Sequence, residues 1–251
     1  MRKRILYFSY GVVAYALLFV TYLYAIGFIG NILVPVSIDG EPTAPLWQAL
    51  IVNGLLLGVF AIQHSVMARA GFKRWWTQVV PKPIERSTYV LASSIALIAL
   101  FAHWQPIGGV VWNVTDPTGQ GVLWGVFALG WLVVLVSTFL INHFDLFGLR
   151  QVWLYLIGKP YTALPFKTPL FYKYVRHPLY VGWLFAFWAT PTMAVTHLVF
   201  AIATTAYILI AIRFEERDLV DVHPEYSGYR ERVPMLIPRP FGRGAATTGA
   251  A

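Results

Sequence analysis

The sequence predicts an all-α integral membrane protein, a bundle of five to six transmembrane helices whose last two form a helical hairpin, with no Rossmann domain. Three observations predict it. Of the 251 residues, 58% are hydrophobic and only 12% charged, whereas a soluble domain carries about 25% charged residues. Six apolar runs stand out, at about 5–30, 46–68, 87–105, 121–142, 178–194 and 196–213, and a spanning helix needs roughly 20 such residues. The cations between these runs then alternate by loop.

All 19 Lys and Arg fall in four places. They are Arg2, Lys3 and Arg4 before the first run; Arg69, Lys73, Arg74, Lys82 and Arg86 after the second; Arg150, Lys159, Lys167, Lys173 and Arg176 after the fourth; and Arg213, Arg217, Arg230, Arg232, Arg239 and Arg243 after the last. The connections at 31–45, 106–120 and around 191–196 have none. The positive-inside rule puts both termini and the two long basic loops in the cytoplasm, with the chain in the inner (cytoplasmic) membrane.

The first run is long and lacks a small-residue cleavage site, so it reads as a retained span rather than a signal peptide. The last two runs are short, which predicts a tilted or incompletely crossing hairpin. Residues 1–241 read as one membrane-embedded domain, with amino-terminal helices over 1–145 and a hairpin and tail over 172–235. The Gly- and Ala-rich segment 242–251 reads as a disordered tail. The chain has no cysteine, so no disulfide, thiolate or Cys-ligated metal is available, and no metal site is expected. The net charge of +8 is spread between spans instead of forming a patch on a soluble face, which argues against nucleic acid.

The stretch from Tyr172 to Tyr229 organises the rest. Lys173-Tyr174-Val175-Arg176-His177-Pro178 leads into the fifth run, and Arg213-Phe214-Glu215-Glu216-Arg217-Asp218 follows the sixth. A hairpin returns its two ends to one membrane face, so Arg176 and His177 should lie near Glu215 and Glu216. Charge at membrane depth is costly and marks functional sites.

This set resembles the carboxy-terminal half of the isoprenylcysteine carboxyl methyltransferase-like membrane methyltransferases. It carries their R-H-P-x-Y-x-G pattern as Arg176-His177-Pro178-Leu179-Tyr180-Val181-Gly182, and their E-E pair as Glu215-Glu216. The resemblance implies an S-adenosyl-L-methionine site near Tyr174, Arg176, His177, Pro178, Tyr180, Gly182, Glu215, Glu216, His223, Tyr226 and Tyr229. A carboxylate suits ribose hydroxyls or an ammonium, Arg or His suits a carboxylate, and aromatic rings suit adenine or a sulfonium. No glycine-rich turn between a strand and a helix offers the soluble alternative.

Three further blocks contribute: Gln63-His64-Ser65, Glu85-Arg86-Ser87-Thr88-Tyr89 and Asn142-His143-Phe144-Asp145-Leu146-Phe147-Gly148-Leu149-Arg150. With them the resemblance sharpens toward the methanethiol S-methyltransferase branch, which implies methylation of a small thiol. A thiol must lose its proton, and His64, His143 and Asp145 are the candidate bases. Arg150 or Arg176 would steady a thiolate. Asp145 sits in an apolar stretch and needs a partner, with His64 and Arg150 both open. The rival acceptors are an isoprenylcysteine carboxylate and a phospholipid amine. From other classes, His64 and His143 could hold a haem, or the chain could be a non-catalytic membrane partner. His103 and His197 lie at the opposite span ends and are expected to be dispensable.

Overall fold

The computed structural model describes residues 1–239; the tail 242–251 lies outside them. Five helices are long and apolar enough to cross a membrane. They are α1 (Arg2–Gly30), α2 (Leu46–Ala68), α4 (Lys82–His103), α5 (Pro117–Ile141) and α9 (Val195–Val222), with the short α3 (Ala70–Trp76) after α2. The remaining helices are α6 (His143–Leu146), α7 (Leu149–Leu156), α8 (Pro178–Trp188) and α10 (Tyr226–Arg232), with a 3-10 turn at Leu170–Lys173. No Rossmann-like sheet occurs among the described residues.

Local chemistry sets most boundaries. Asn31 ends α1 in the left-handed region (φ 54), which Asn tolerates better than most residues. Asp116 caps α5 by accepting from the Gly119 amide at 2.7 Å, ahead of Pro117, and Pro178 opens α8. A first-turn proline gives up a donor that the helix could not use. On α2, Leu46, Trp47, Leu50, Ile51, Leu55, Val59, Ile62 and Val66 are all exposed, as befits a helix lying against lipid. The core gathers Phe28, Phe101, Trp104, Phe127, Trp131, Phe187 and Phe200 between α1, α4, α5, α8 and α9.

The hairpin is uneven, which corrects the expectation of two short runs. Helix α8 has 11 residues, about 16 Å at 1.5 Å per residue, or half of an apolar layer about 30 Å thick. Helix α9 has 28 residues and carries Glu215 and Glu216 inside the helix rather than after it. Beyond Ala189 the chain continues extended. Its strand β2 (Thr192–Ala194) pairs antiparallel with β1 (Val110–Asn113), a ribbon that the apolar pattern does not announce.

Non-helical backbone at membrane depth persists only where protein satisfies it. Here the Trp112 indole donates to Thr190 O at 3.1 Å, the Val114 amide to Pro191 O at 2.9 Å, and His197 Nε2 to Phe187 O at 2.9 Å. Ala189, Thr190, Met193 and Ala194 are buried. His197 is fully buried, and its Nε2 ties the end of α8 to α9, a structural contact that its place in the sequence does not show. His103 is exposed, as expected.

Helix α8 packs chiefly on α5 rather than on α9. Gly182 and Gly130 let the two backbones touch. A Cβ at Gly182 would lie 2.7 Å from Gly130 O and 2.8 Å from the Val134 amide nitrogen. The up-and-down order brings every basic segment of the described chain to one end of the bundle.

Candidate active site

At that basic end the two ends of the hairpin meet. Arg176 Nε donates to Glu216 Oε1 at 2.7 Å, and His177 Nε2 lies 3.0 Å from the same oxygen. The Tyr226 hydroxyl donates to it as well, at 3.3 Å. Glu216 and His177 are both buried. A buried carboxylate is tolerated when it is paired and hydrogen-bonded, and Glu216 is held from three sides.

Its neighbour Glu215 is different. The Tyr180 hydroxyl donates to Glu215 Oε2 at 2.9 Å, His177 Nδ1 stands 3.9 Å away, and the side chain is 43% exposed. Successive residues on a helix face about 100° apart, so one glutamate turns inward and the other toward solvent.

The tail closes around this cluster. The amides of Arg176 and His177 donate to Pro234 O and Met235 O at 2.9 and 3.2 Å. Arg176 Nη1 donates to Arg230 O and Val233 O. Nη2 is thus the guanidinium nitrogen without a protein partner among the described residues. The Tyr229 hydroxyl donates to Tyr172 O. Phe166 packs on His223, Tyr226 and Tyr229 with ring centroids 5.5–5.7 Å apart. Burial pushes the phenols of Tyr172 and Tyr226 up and that of Tyr229 up to about 12, in keeping with the donor roles of Tyr226 and Tyr229. Pro178 is buried at the start of α8, and Tyr174 is exposed beside it. Gly182 faces α5 and serves the packing of α8.

His64, His143 and Asp145 do not come together; each has its own surroundings. His143 stacks flat on Phe139 at 4.0 Å. The Thr138 hydroxyl donates to Leu135 O at 2.6 Å, so it accepts from His143 Nδ1 at 2.8 Å. Nε2 then accepts from the Tyr15 hydroxyl at 2.7 Å. Both ring nitrogens are spent, and burial lowers the pKa of this imidazole. His143 thus offers no free nitrogen to a haem iron or a substrate.

Asp145 takes Arg150, not His64. Arg150 Nη1 lies 2.8 Å from Oδ1 and also donates to Thr162 O, and Tyr161 donates to Oδ2 at 3.3 Å. Gly148 (φ 88) makes the turn into α7 against Ser87, whose Oγ would meet a Cβ at 2.7 Å.

His64, on α2, faces α4. The Ser93 hydroxyl donates to Tyr89 O and so accepts from His64 Nδ1 at 3.2 Å. The Tyr89 hydroxyl lies 3.0 Å from Nε2. The Arg86 guanidinium stands 4.9 Å from the Tyr89 ring centroid. Ser65 and Tyr207 join across α2 and α9 at 3.0 Å, and Arg69 pairs with Asp218 at 2.8 Å. Of Arg86, Tyr89, Ser93 and Tyr207, the sequence singled out the first two only as members of the Glu85–Tyr89 block, and the other two not at all. The first three sit at i, i+3 and i+7, one helix face, and that spacing was the available signal.

No family model and no solved structure matches the chain. Named relatives do. The methanethiol S-methyltransferase of Crocosphaera subtropica is 60% identical over 230 residues, 91% of this chain and 90% of the relative. That of Mycobacterium tuberculosis is 54% identical over 239 residues, 95% and 98% of the two chains. Nurim of Bos taurus is 31% identical over 175 residues, 66% of each chain.

Proposed function

The chain belongs to the methanethiol S-methyltransferase family, and we propose that it methylates methanethiol to dimethyl sulfide with S-adenosyl-L-methionine as the methyl donor. The reaction would run at the cytoplasmic face of the inner membrane, with both chain termini cytoplasmic. Residues 1–241 would act as one domain, the helices of 1–145 framing a donor site built by 172–235. One observation carries this reading. Arg176, His177, Tyr180, Glu215 and Glu216 converge on one point at the basic end of the bundle.

The residues present suit the donor. Glu215 keeps a solvent-facing carboxylate for ribose hydroxyls or an ammonium, and Arg176 keeps Nη2 for a carboxylate. His223 and Phe166, both half-buried, offer aromatic surface for a purine or a cation, with the buried Tyr226 and Tyr229 packed behind Phe166. When bound, S-adenosylmethionine supplies an electrophilic methyl on a sulfonium. The chain's own work is to orient the acceptor and dispose of the thiol proton. His64 is the better-placed imidazole because its phenol partner Tyr89, 3.0 Å from both ring nitrogens, has the Arg86 guanidinium over its ring, so a proton can pass to it through Tyr89. Arg86 over the Tyr89 ring would favour the transient phenolate. His143, Asp145 and Arg150 support this layer through the contacts they make with one another's helices.

The test supplies purified protein with methyl-labelled donor and a panel of thiols, amines and prenylcysteines. Label should appear in dimethyl sulfide. Label found only in a prenylcysteine or a lipid amine, or in no product, would overturn the proposal. A cysteine introduced at position 73 or 167 should react only from the cytoplasmic side.

A further inference from the structure

A second site lies in the same layer, on the other side of α4. A cavity of about 580 Å³ is bounded by α3, α4, α6 and α7, and Lys73, Lys82, Arg86 and Lys159 line it. None of these four cations forms an ion pair among the described residues. Asp145 also lines the cavity, but Arg150 already neutralises it. That leaves Glu85 as the free acidic charge on the wall.

The α4 amino terminus, where Lys82 and Pro83 line the cavity, adds the positive end of a 22-residue helix. Burial and the nearby Arg86 lower the pKa of Lys73 against the opposing pull of Glu85 and Asp218.

Two further features narrow the class of ligand. Leu146, Leu154 and Leu164 line one wall, as does Ile141, which is half exposed where α5 leaves the apolar layer. The cavity therefore joins a cationic rim to the lipid-facing surface. Gln151 also lines it, and its Oε1, shut off from solvent within the wall, has no hydrogen-bond partner. That oxygen only accepts, so it calls for a ligand hydroxyl. A phosphate diester bearing a polyol meets all of these demands.

We propose that this cavity binds the phosphoglycerol headgroup of an anionic phospholipid, with the phosphate on the lysines and a glycerol hydroxyl on Gln151. Basic pockets between helices at the cytoplasmic side are suited to such headgroups. Arg86 belongs both to this cavity and to the surroundings of Tyr89, so the test variants are confined to Lys73, Lys82 and Gln151, which take no part in the proposed methyl transfer.

The test uses the full chain in a neutral detergent, with lipid retention read by native mass spectrometry. Phosphatidylglycerol should be retained over phosphatidylcholine by roughly tenfold, and Lys73→Gln/Lys82→Gln should remove most of that preference. Gln151→Leu should reduce it less, by a few fold. Equal retention of the two lipids, or an undiminished preference in the double variant, would overturn the proposal. Millimolar inorganic phosphate should not displace the lipid; displacement would mean a soluble phosphate site instead. Thermal unfolding without lipid should be unchanged in both variants, which separates loss of a site from loss of the fold. Donor binding measured alongside should also be unchanged, so failure of either proposal is read separately.

Discussion

Two clusters share the basic end of the bundle, and they use their charges differently. In the amino-terminal cluster, His143 spends both ring nitrogens on Thr138 and Tyr15, and Asp145 is clasped by Arg150. These groups hold α1, α5 and α7 in register. In the carboxy-terminal cluster the division falls between neighbours. Glu216 is buried under Arg176, His177 and Tyr226, whereas Glu215 meets Tyr180 and stays open. A titratable side chain in a membrane protein thus serves either the fold or a ligand. The number of partners already in place tells which.

The comparison breaks first at Glu216. Glu216→Ala leaves the mostly buried Arg176 guanidinium without its counter-charge and takes the acceptor from His177 and Tyr226, which should cost about 3–5 kcal/mol. Thermal unfolding in detergent should register the loss before donor binding is considered. If stability is unchanged while donor affinity falls, Glu216 belongs with the ligand and the division between the two glutamates is wrong.

His143→Ala comes next. It orphans the Tyr15 hydroxyl, removes the donor to Thr138 and empties an aromatic cage, at about 2–3 kcal/mol, with normal turnover in the folded fraction. The pH dependence sharpens it. Because burial lowers the folded-state pKa of His143, the unfolded chain takes up the proton first. The contribution of His143 is complete above pH about 6.5 and declines as pH falls below that value. His143→Gln should flatten this part of the stability profile, measured by unfolding at pH 7.5 and 5.5.

Glu215→Gln should leave stability within about 0.5 kcal/mol and weaken donor binding roughly tenfold, since hydrogen bonds to a charged group are worth about 1.5–3 kcal/mol. Calorimetric titration measures it, and unchanged affinity would remove Glu215 from the donor site. The smallest effect belongs to the exposed Arg69–Asp218 pair. Asp218→Asn should change stability by at most about 1 kcal/mol, and less at high salt.

Much of this architecture was legible because hydropathy and charge are local properties. The spans, the one-sided placement of Lys and Arg, and the meeting of Arg176 and His177 with Glu215 and Glu216 all follow from chain order alone. A hairpin must return, and a charge must reach an interface or a partner. The candidate site was only partly legible. The His64 surroundings needed Tyr89 and Ser93 from α4 and Tyr207 nearby on α9, and no pattern within the Gln63-His64-Ser65 block announces them.

Three features were decided by tertiary packing. Asp145 had two partners open to it, and the turn at Gly148 delivered Arg150. His143 is a candidate base by its sequence position, and only the fold brings Tyr15, 128 positions away, to its second nitrogen. The fifth run looked like a short span, yet the chain leaves the helix after Trp188 and finishes in extended form. It can do so because β1, Trp112 and His197 receive its backbone. The common reason is that hydrogen-bond satisfaction is a count over neighbours in space. Linear order records which groups a residue carries and not which of them remain unpaired.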